Sequence, residues 1–166
     1  MKIIFLDVDG VLNNLTDIEQ DIIDPFALDS TNWAPAALNA LSEIIRRSGA
    51  KIVISSSWRK IFKDPTWWNA QLSGAGVEGV DCIGITGGSH NGFRGREIKR
   101  WLAAHPEVKS YVVIDDESDF YSDQPRIHVD MSFGLTADHI EPALALLNGA
   151  DVLPLYCMEE RNPRND

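Results

Sequence analysis

The chain has 166 residues, 44% of them hydrophobic, which is enough to bury one sizeable core. We therefore expect a single domain over residues 1–166, ending in a flexible tail at 159–166. The formal net charge is −10. This charge disfavours broad, non-specific binding of nucleic acid, because such binding needs many Lys and Arg contacts to phosphates. It is compatible with a small phosphate pocket.

The sequence predicts neither a secretory signal nor a membrane span. Asp7 and Asp9 interrupt the N-terminal apolar run, and no apolar stretch approaches the roughly 20 residues that cross a bilayer. Cys82 and Cys157 lie far apart, without a His or Cys at metal-ligand spacing, and predict neither a disulfide framework nor a zinc site. We expect a cytoplasmic protein without membrane partners.

Apolar runs bounded by charged residues predict three short buried strands, at 2–6, 51–54 and 111–114. Apolar residues at helical spacing predict three helices, at 35–47, 96–104 and 137–147. Strands that alternate with helices indicate βαβ units and a parallel sheet covered on both faces, so the predicted fold class is α/β. In such sheets ligands bind beyond the carboxyl ends of the strands.

Two excursions interrupt this pattern. Residues 13–33 are acidic and rich in turn residues, and they could form a small lid. The second excursion carries Trp58, Trp67 and Trp68, followed by a predicted helix near 67–72 and a candidate strand at 80–85. These tryptophans could stack on a nucleobase, although packing in the core or in a lid is the simpler interpretation.

Two pairs of carboxylates directly follow predicted strands. Asp7 and Asp9 follow the first strand, and Asp115 and Asp116 follow the third. The first pair alone could be a solvated turn. Because the carboxyl ends of parallel strands meet at one edge of the sheet, the two pairs together concentrate negative charge that a cation would relieve. Carboxylate oxygens are ligands that Mg²⁺ prefers, so a magnesium site is predicted here.

Ser55 and Ser56 follow the second predicted strand and would lie at the same edge. Their hydroxyl and backbone N–H groups are neutral donors that a phosphate oxygen could accept from. The alternative is that these serines cap a helical turn.

Four segments resemble, in order and spacing, the motifs of haloacid dehalogenase-like (HAD) phosphatases: FLDVDGVLN at 5–13, VISSSWR at 53–59, GREIKRWL at 95–102 and VVIDDESD at 112–119. The forms VISSSWR, R-x-x-E-I-x-x-W-L and FGLT at 133–136 are similar to the small HAD domains associated with RNA repair and to the phosphatase half of polynucleotide kinase-phosphatases. The resemblance implies a three-layer Rossmann-like fold with a small or absent cap. It also implies Mg²⁺-dependent hydrolysis of a phosphate monoester on a nucleic-acid end, as a 3′-phosphate, or on a nucleotide.

The resemblance also implies residue roles. Asp7 would be the nucleophile that becomes an aspartyl-phosphate, and Asp9 the general acid and then the general base. The metal would be held by Asp7, by the backbone carbonyl of Asp9 and by Asp115 or Asp116, of which Asp116 is preferred.

Ser55, with Ser56, would bind the transferring phosphoryl group. The family also requires a cation beside the nucleophile. Arg96 best fits the pattern of the branch, while Arg94 and Lys99 remain alternatives. Arg59 could reach the substrate phosphate or could be a surface arginine.

The sequence is also compatible with other functions. The acidity of the chain favours a nucleotide or small-metabolite substrate, such as a sugar phosphate. A non-catalytic HAD-fold binding or regulatory module would tolerate the loss of Asp7 or Asp9, yet both are present. Dehalogenation would need neither Mg²⁺ nor a second carboxylate at Asp9.

Overall fold

In the computed structural model, residues 1–20, 22–24, 26–88 and 92–149 are described, so the predicted tail at 159–166 lies outside the described residues. The strands are β1 (Lys2–Leu6), β2 (Lys51–Ile54), β3 (Cys82–Ile85), β4 (Ser110–Asp115) and β5 (Arg126–His128). The helices are α1 (Leu15–Glu19), α2 (Pro35–Ser48), α3 (Pro65–Gly74), α4 (Arg94–Ala103) and α5 (Ile140–Leu147). Short 3₁₀ turns cover Ser30–Asn32, Ser57–Lys60 and Ala137–His139.

The five strands form one parallel sheet in the order β3-β2-β1-β4-β5. The chain builds outwards from β1 through β2 to β3, then returns to the other side of β1 to build β4 and β5. The topological switch point therefore lies between β1 and β4, where an open α/β sheet forms its ligand crevice. The predicted α/β class with a parallel sheet is confirmed.

Residues of β1 alternate between two apolar cores. Ile4 and Leu6 pack into the larger core, which includes apolar residues of α2, α3 and α5. Ile3 and Phe5 pack into the smaller core with Ile98 of α4. All four side chains are fully buried, as expected of a strand covered on both faces. The sheet is thus the middle of three layers, with α4 alone opposite the other long helices.

Local sequence explains where α2 begins and ends. Pro35 is the first helical residue, where its missing N–H costs no hydrogen bond. Gly49 follows the last residue with a φ of 63°, in the left-handed conformation that terminates many helices. None of the helices in the described part of the chain combines the length and apolarity needed to cross a membrane.

The tryptophans of the second excursion pack against each other and against Trp33. Trp68 is fully buried, and its ring is parallel to that of Trp33 with centroids 6.4 Å apart. Trp67 stacks on Phe62 at 3.7 Å. Trp58 is 7% exposed and packs against the same group. This aromatic packing agrees with the simpler of the two sequence interpretations.

Candidate active site

Four polar residues form a row along the carboxyl edge of the sheet, one at the end of each of β1, β2, β3 and β4: Asp7, Ser55, Thr86 and Asp115. The backbone N–H groups of Asp7, Ser55 and Thr86 each donate to a carbonyl of the neighbouring strand, at 3.1, 2.8 and 2.8 Å. None of the four residues is more than 1% exposed. The parallel register therefore brings polar side chains from four strands to one buried edge.

Arg94, the first residue of α4, provides the cation of this edge. Its Nη1 lies 2.7 Å from Oδ2 of Asp7 and 2.5 Å from Oδ2 of Asp115. The backbone N–H of Arg94 donates to the Asp119 carboxylate at 3.0 Å, which fixes the start of the helix. One guanidinium thus bridges the ends of β1 and β4 at the switch point.

The structure does not bring Arg96 or Lys99 to these carboxylates. Arg96 is exposed, because two residues along an α-helix turn a side chain by about 200° from that of Arg94. Lys99 is also exposed; its Nζ lies 3.3 Å from Asp123 and 4.0 Å from the centre of the Tyr121 ring. Of the three cations considered from the sequence, Arg94 is the one that contacts Asp7.

Arg59 forms a buried ion pair on the side of the site. Its Nη2 lies 2.6 Å from Oε2 of Glu97, and its Nη1 donates to the Ser56 carbonyl at 2.7 Å. The side chains of Arg59 and Glu97 are only 11% and 1% exposed. These contacts connect the Ser57–Lys60 turn to α4, the helix that carries Arg94.

The two predicted serines occupy different environments. Ser56 caps the Ser57–Lys60 turn, where its Oγ accepts from the Trp58 N–H at 3.3 Å, and its side chain also stabilises the charged form of Asp7. In the described part of the chain, the buried hydroxyls of Ser55 and Thr86 have no hydrogen-bond partner. Because an unmet buried hydroxyl is unfavourable, these two groups are available to a ligand at the sheet edge.

Asp9 lies at the outer side of the site and is exposed. Both of its carboxylate oxygens lie 3.0 Å from the indole Nε1 of Trp58. Asn13 donates to Oδ1 at 3.1 Å through its side-chain amide, and the Ser57 hydroxyl donates to Oδ2 at 3.4 Å. Donors from two loops therefore hold this carboxylate in place.

Three carboxylates could together hold a metal ion. Asp7, Asp115 and Asp116 each offer an oxygen, and these oxygens all lie within 4.8 Å of one another. Oδ1 of Asp7 is buried without a partner among the described residues. Gly10 permits the close approach of Asp116: its φ is 74°, and a Cβ at this position would lie 2.4 Å from Oδ2 of Asp116.

The carboxylate pKa values show the electrostatic cost of this cluster. Burial raises the pKa of Asp7, although the charge of Arg94 opposes the rise. Burial and the charge of Asp7 together raise the pKa of Asp115 to about 8, and they also raise the pKa of Asp116. A divalent cation would relieve this repulsion, and an all-oxygen donor set suits Mg²⁺, so the residues present fit that ion.

Sequence reasoning did not identify three contributors to the site: Thr86, Asn13 and the indole N–H of Trp58. Thr86 directly follows Ile85, the last residue of β3, as Ser55 follows the last residue of β2. The position of Thr86 at the end of a strand could therefore have identified it from the sequence. The contacts of Asn13 and Trp58 with Asp9 depend on loop conformation, which no spacing in the sequence indicates.

Comparison with family models matches residues 3–140 to the HAD domain in Swiss Army Knife RNA repair proteins. Comparisons with curated proteins and with solved structures give no match. The matched segment covers most of the chain and includes the whole carboxylate cluster, and it confirms the family indicated by the sequence motifs. The family supports a HAD-type phosphatase in general, and the chain belongs to the HAD domains of the Swiss Army Knife RNA repair type.

Proposed function

We propose that this chain is a Mg²⁺-dependent phosphomonoesterase that acts on a phosphorylated nucleic-acid end, with a 3′-phosphate as its preferred substrate. The proposal is carried by the position of Asp7, whose carboxylate contacts Arg94 on the same buried edge as the unpartnered Ser55 hydroxyl. The association of the family with RNA repair supports the choice of a nucleic-acid end.

Asp7 is the proposed nucleophile. An oxygen of its carboxylate attacks phosphorus, the bond from phosphorus to the ester oxygen breaks, and the phosphoryl group is carried as an aspartyl-phosphate. Ser55 donates a hydrogen bond to a phosphoryl oxygen, with Ser56 beside it. Arg94 neutralises charge on that group, since a guanidinium is a strong donor to phosphate oxygens.

Asp9 is the proposed proton carrier. It gives a proton to the departing ester oxygen and later takes one from the water that attacks the aspartyl-phosphate, which releases inorganic phosphate and restores Asp7. Its outer position and its hydrogen bonds from Trp58 and Asn13 suit a group that faces the leaving side.

Asp7 and one or both of Asp115 and Asp116, with the backbone carbonyl of Asp9, would hold Mg²⁺. When bound, this ion supplies positive charge that offsets the charge developing on the phosphoryl oxygens.

The test is phosphate release from a panel of esters with Mg²⁺: 3′- and 5′-phosphorylated oligonucleotides, mononucleotides, sugar phosphates and p-nitrophenyl phosphate. We expect turnover that is fastest with the 3′-phosphorylated oligonucleotide, that needs Mg²⁺ and that is abolished by Asp7→Asn. Asp123→Asn is the matched control, because it makes the same chemical change at an exposed carboxylate.

The panel also separates the alternatives. If sugar phosphates are turned over fastest, the proposed substrate class is wrong and the proposed mechanism stands. The net charge of −10 favours this alternative. No turnover of any ester would indicate a binding module.

A further inference from the structure

A cleft of ≈ 220 Å³ opens beside the general acid and has no role in the steps above. It begins at Asp9 and Gly10 and runs between α1, the Ser30–Asn32 turn and the loop after β5. Its remaining lining residues are Asn13, Asn14, Leu15, Ile18, Asn32 and Met131. In the proposed reaction Asp9 protonates the oxygen of the leaving group. Since the cleft begins at Asp9, it is the place where the leaving group of the substrate would lie.

Among the described residues that line the cleft, the side-chain carbonyl oxygen of Asn32 is a buried hydrogen-bond acceptor without a donor. Asn13 accepts from the Gly10 N–H and donates to Asp9, and Asn14 exchanges hydrogen bonds with Asp17. Asn32 is only 4% exposed, and its Oδ1 has no partner among the described residues. A buried carbonyl oxygen without a donor is unfavourable, so the amide of Asn32 is available to a hydroxyl or amino group of a ligand.

The apolar side of the cleft is formed by Leu15, Ile18 and Met131. Leu15 is 43% exposed and Met131 is 49% exposed, so this side is accessible. No lining residue among those described is Lys or Arg, so the cleft offers no site for a second phosphate. Its volume is below the roughly 300–1,000 Å³ of pockets for drug-sized ligands, which suits a single sugar with its base.

From these observations we infer that the cleft binds the terminal nucleoside of the phosphate ester, with Asn32 as a specificity-determining residue. This inference rests on the proposed function and adds the leaving-group chemistry: an uncharged ribose and base at a single-stranded end. The apolar side contacts the sugar or the base, and the Asn32 carbonyl accepts from a hydroxyl or amino group. A helical duplex end would not place one nucleoside alone in so small a cleft.

The test compares two alkyl esters in each variant, both with a leaving group that needs a proton from Asp9: uridine 3′-monophosphate, whose leaving group would fill the cleft, and methyl phosphate, whose leaving group is too small to do so. Asn32→Ala removes the amide. Leu15→Trp fills the cleft from a position that is exposed enough to accept a larger side chain. Phe26→Ala is the control, because Phe26 is 91% exposed in the same excursion and does not line the cleft.

We expect Asn32→Ala and Leu15→Trp to lower kcat/KM for the nucleotide by about tenfold relative to methyl phosphate, and Phe26→Ala to change neither rate. An equal loss on both substrates, or no loss in Leu15→Trp with thermal unfolding unchanged, would overturn the inference. The proposed function would then still stand, because the wild-type protein alone tests it: the proposed function fails if that protein turns over no ester or prefers sugar phosphates to 3′-phosphorylated ends.

Discussion

Arg94 and Arg96 lie two residues apart on one helix, but only Arg94 contacts the Asp7 carboxylate. We expect Arg94→Gln to lower kcat for p-nitrophenyl phosphate by about 100-fold, because a preorganised charged donor to the transferring group is lost. Arg96→Gln makes the same change on the exposed face and should leave kcat within about twofold, as surface substitutions usually do. A comparable loss in Arg96→Gln would instead identify Arg96 as a cation that contacts the phosphate, as the motif pattern predicts.

Trp58 has a separate, testable role through Asp9. Trp58→Phe keeps an aromatic ring in the packed group but removes the indole N–H that lies 3.0 Å from both oxygens of Asp9. Because this donor positions the general acid, we expect kcat for alkyl phosphates to fall about tenfold with KM unchanged. p-Nitrophenyl phosphate should be less affected, since its leaving group departs without a proton.

The control for this variant is Trp67→Phe, which changes the same ring type in the same aromatic group without a contact to Asp9. An equal loss on alkyl and p-nitrophenyl esters in Trp58→Phe would mean that Trp58 does not act through protonation of the leaving group, and that it acts through packing or through hydrolysis of the aspartyl-phosphate, which all esters share.

At the level of single residues, the meeting of Asp7 and Asp115 could be predicted from the sequence, because each lies at the carboxyl end of an apolar run. Once β1 and β4 were identified, Asp7 and Asp115 had to meet at one sheet edge. The choice between Arg94 and Arg96 needed the rotation of α4 about its axis, which depends on how Ile98 packs against the sheet. Motif spacing alone does not fix that rotation.

The elements around the site are held in place by the Arg59–Glu97 pair, which joins the turn after β2 to α4. We expect Arg59→Met to lower the free energy of unfolding by about 3 kcal/mol, because it removes the ion pair with the buried Glu97 carboxylate and the hydrogen bond to the Ser56 carbonyl. Urea denaturation measures this loss. Arg47→Met is the matched control, since Arg47 pairs with Glu141 on the exposed surface and its loss should change stability little.

Kinetics of Arg59→Met distinguish this structural role from the substrate contact considered from the sequence. A raised KM with unchanged stability would assign Arg59 to the substrate phosphate instead.

The helices and strands with a regular apolar pattern were predicted more accurately than the short ones without such a pattern. β1 and β2 have the predicted bounds, and α2 extends one residue beyond its prediction. β5 has three residues and α1 has five, and neither is long enough to show a period. α1 contributes Leu15 and Ile18 to the cleft, so the part of the site that was hardest to predict is the part proposed to select the substrate.

For the whole molecule, the net charge of −10 determines the long-range electrostatic interaction with a polyanionic substrate. A basic nucleic-acid-binding protein that contacts 6–10 phosphates loses affinity by about 10³–10⁵ between about 50 and 200 mM salt, because bound counterions are released. Among the described residues, Arg94 is the cation that contacts the carboxylate cluster, and Asp7 and Asp115 balance its charge. Long-range attraction to nucleic acid is therefore not expected.

We predict that kcat/KM for a 3′-phosphorylated oligonucleotide stays constant or rises between about 50 and 200 mM NaCl, since salt screens the repulsion between substrate and protein over a Debye length of about 10 Å. Uridine 3′-monophosphate is the matched control; it carries the same reacting phosphate without the polyanionic strand and should respond less. A fall of tenfold or more with the oligonucleotide alone would contradict the prediction, because it would require several cationic contacts along the strand. The strand would then be bound well beyond its terminal nucleoside, and the cleft beside Asp9 would not suffice to select the substrate.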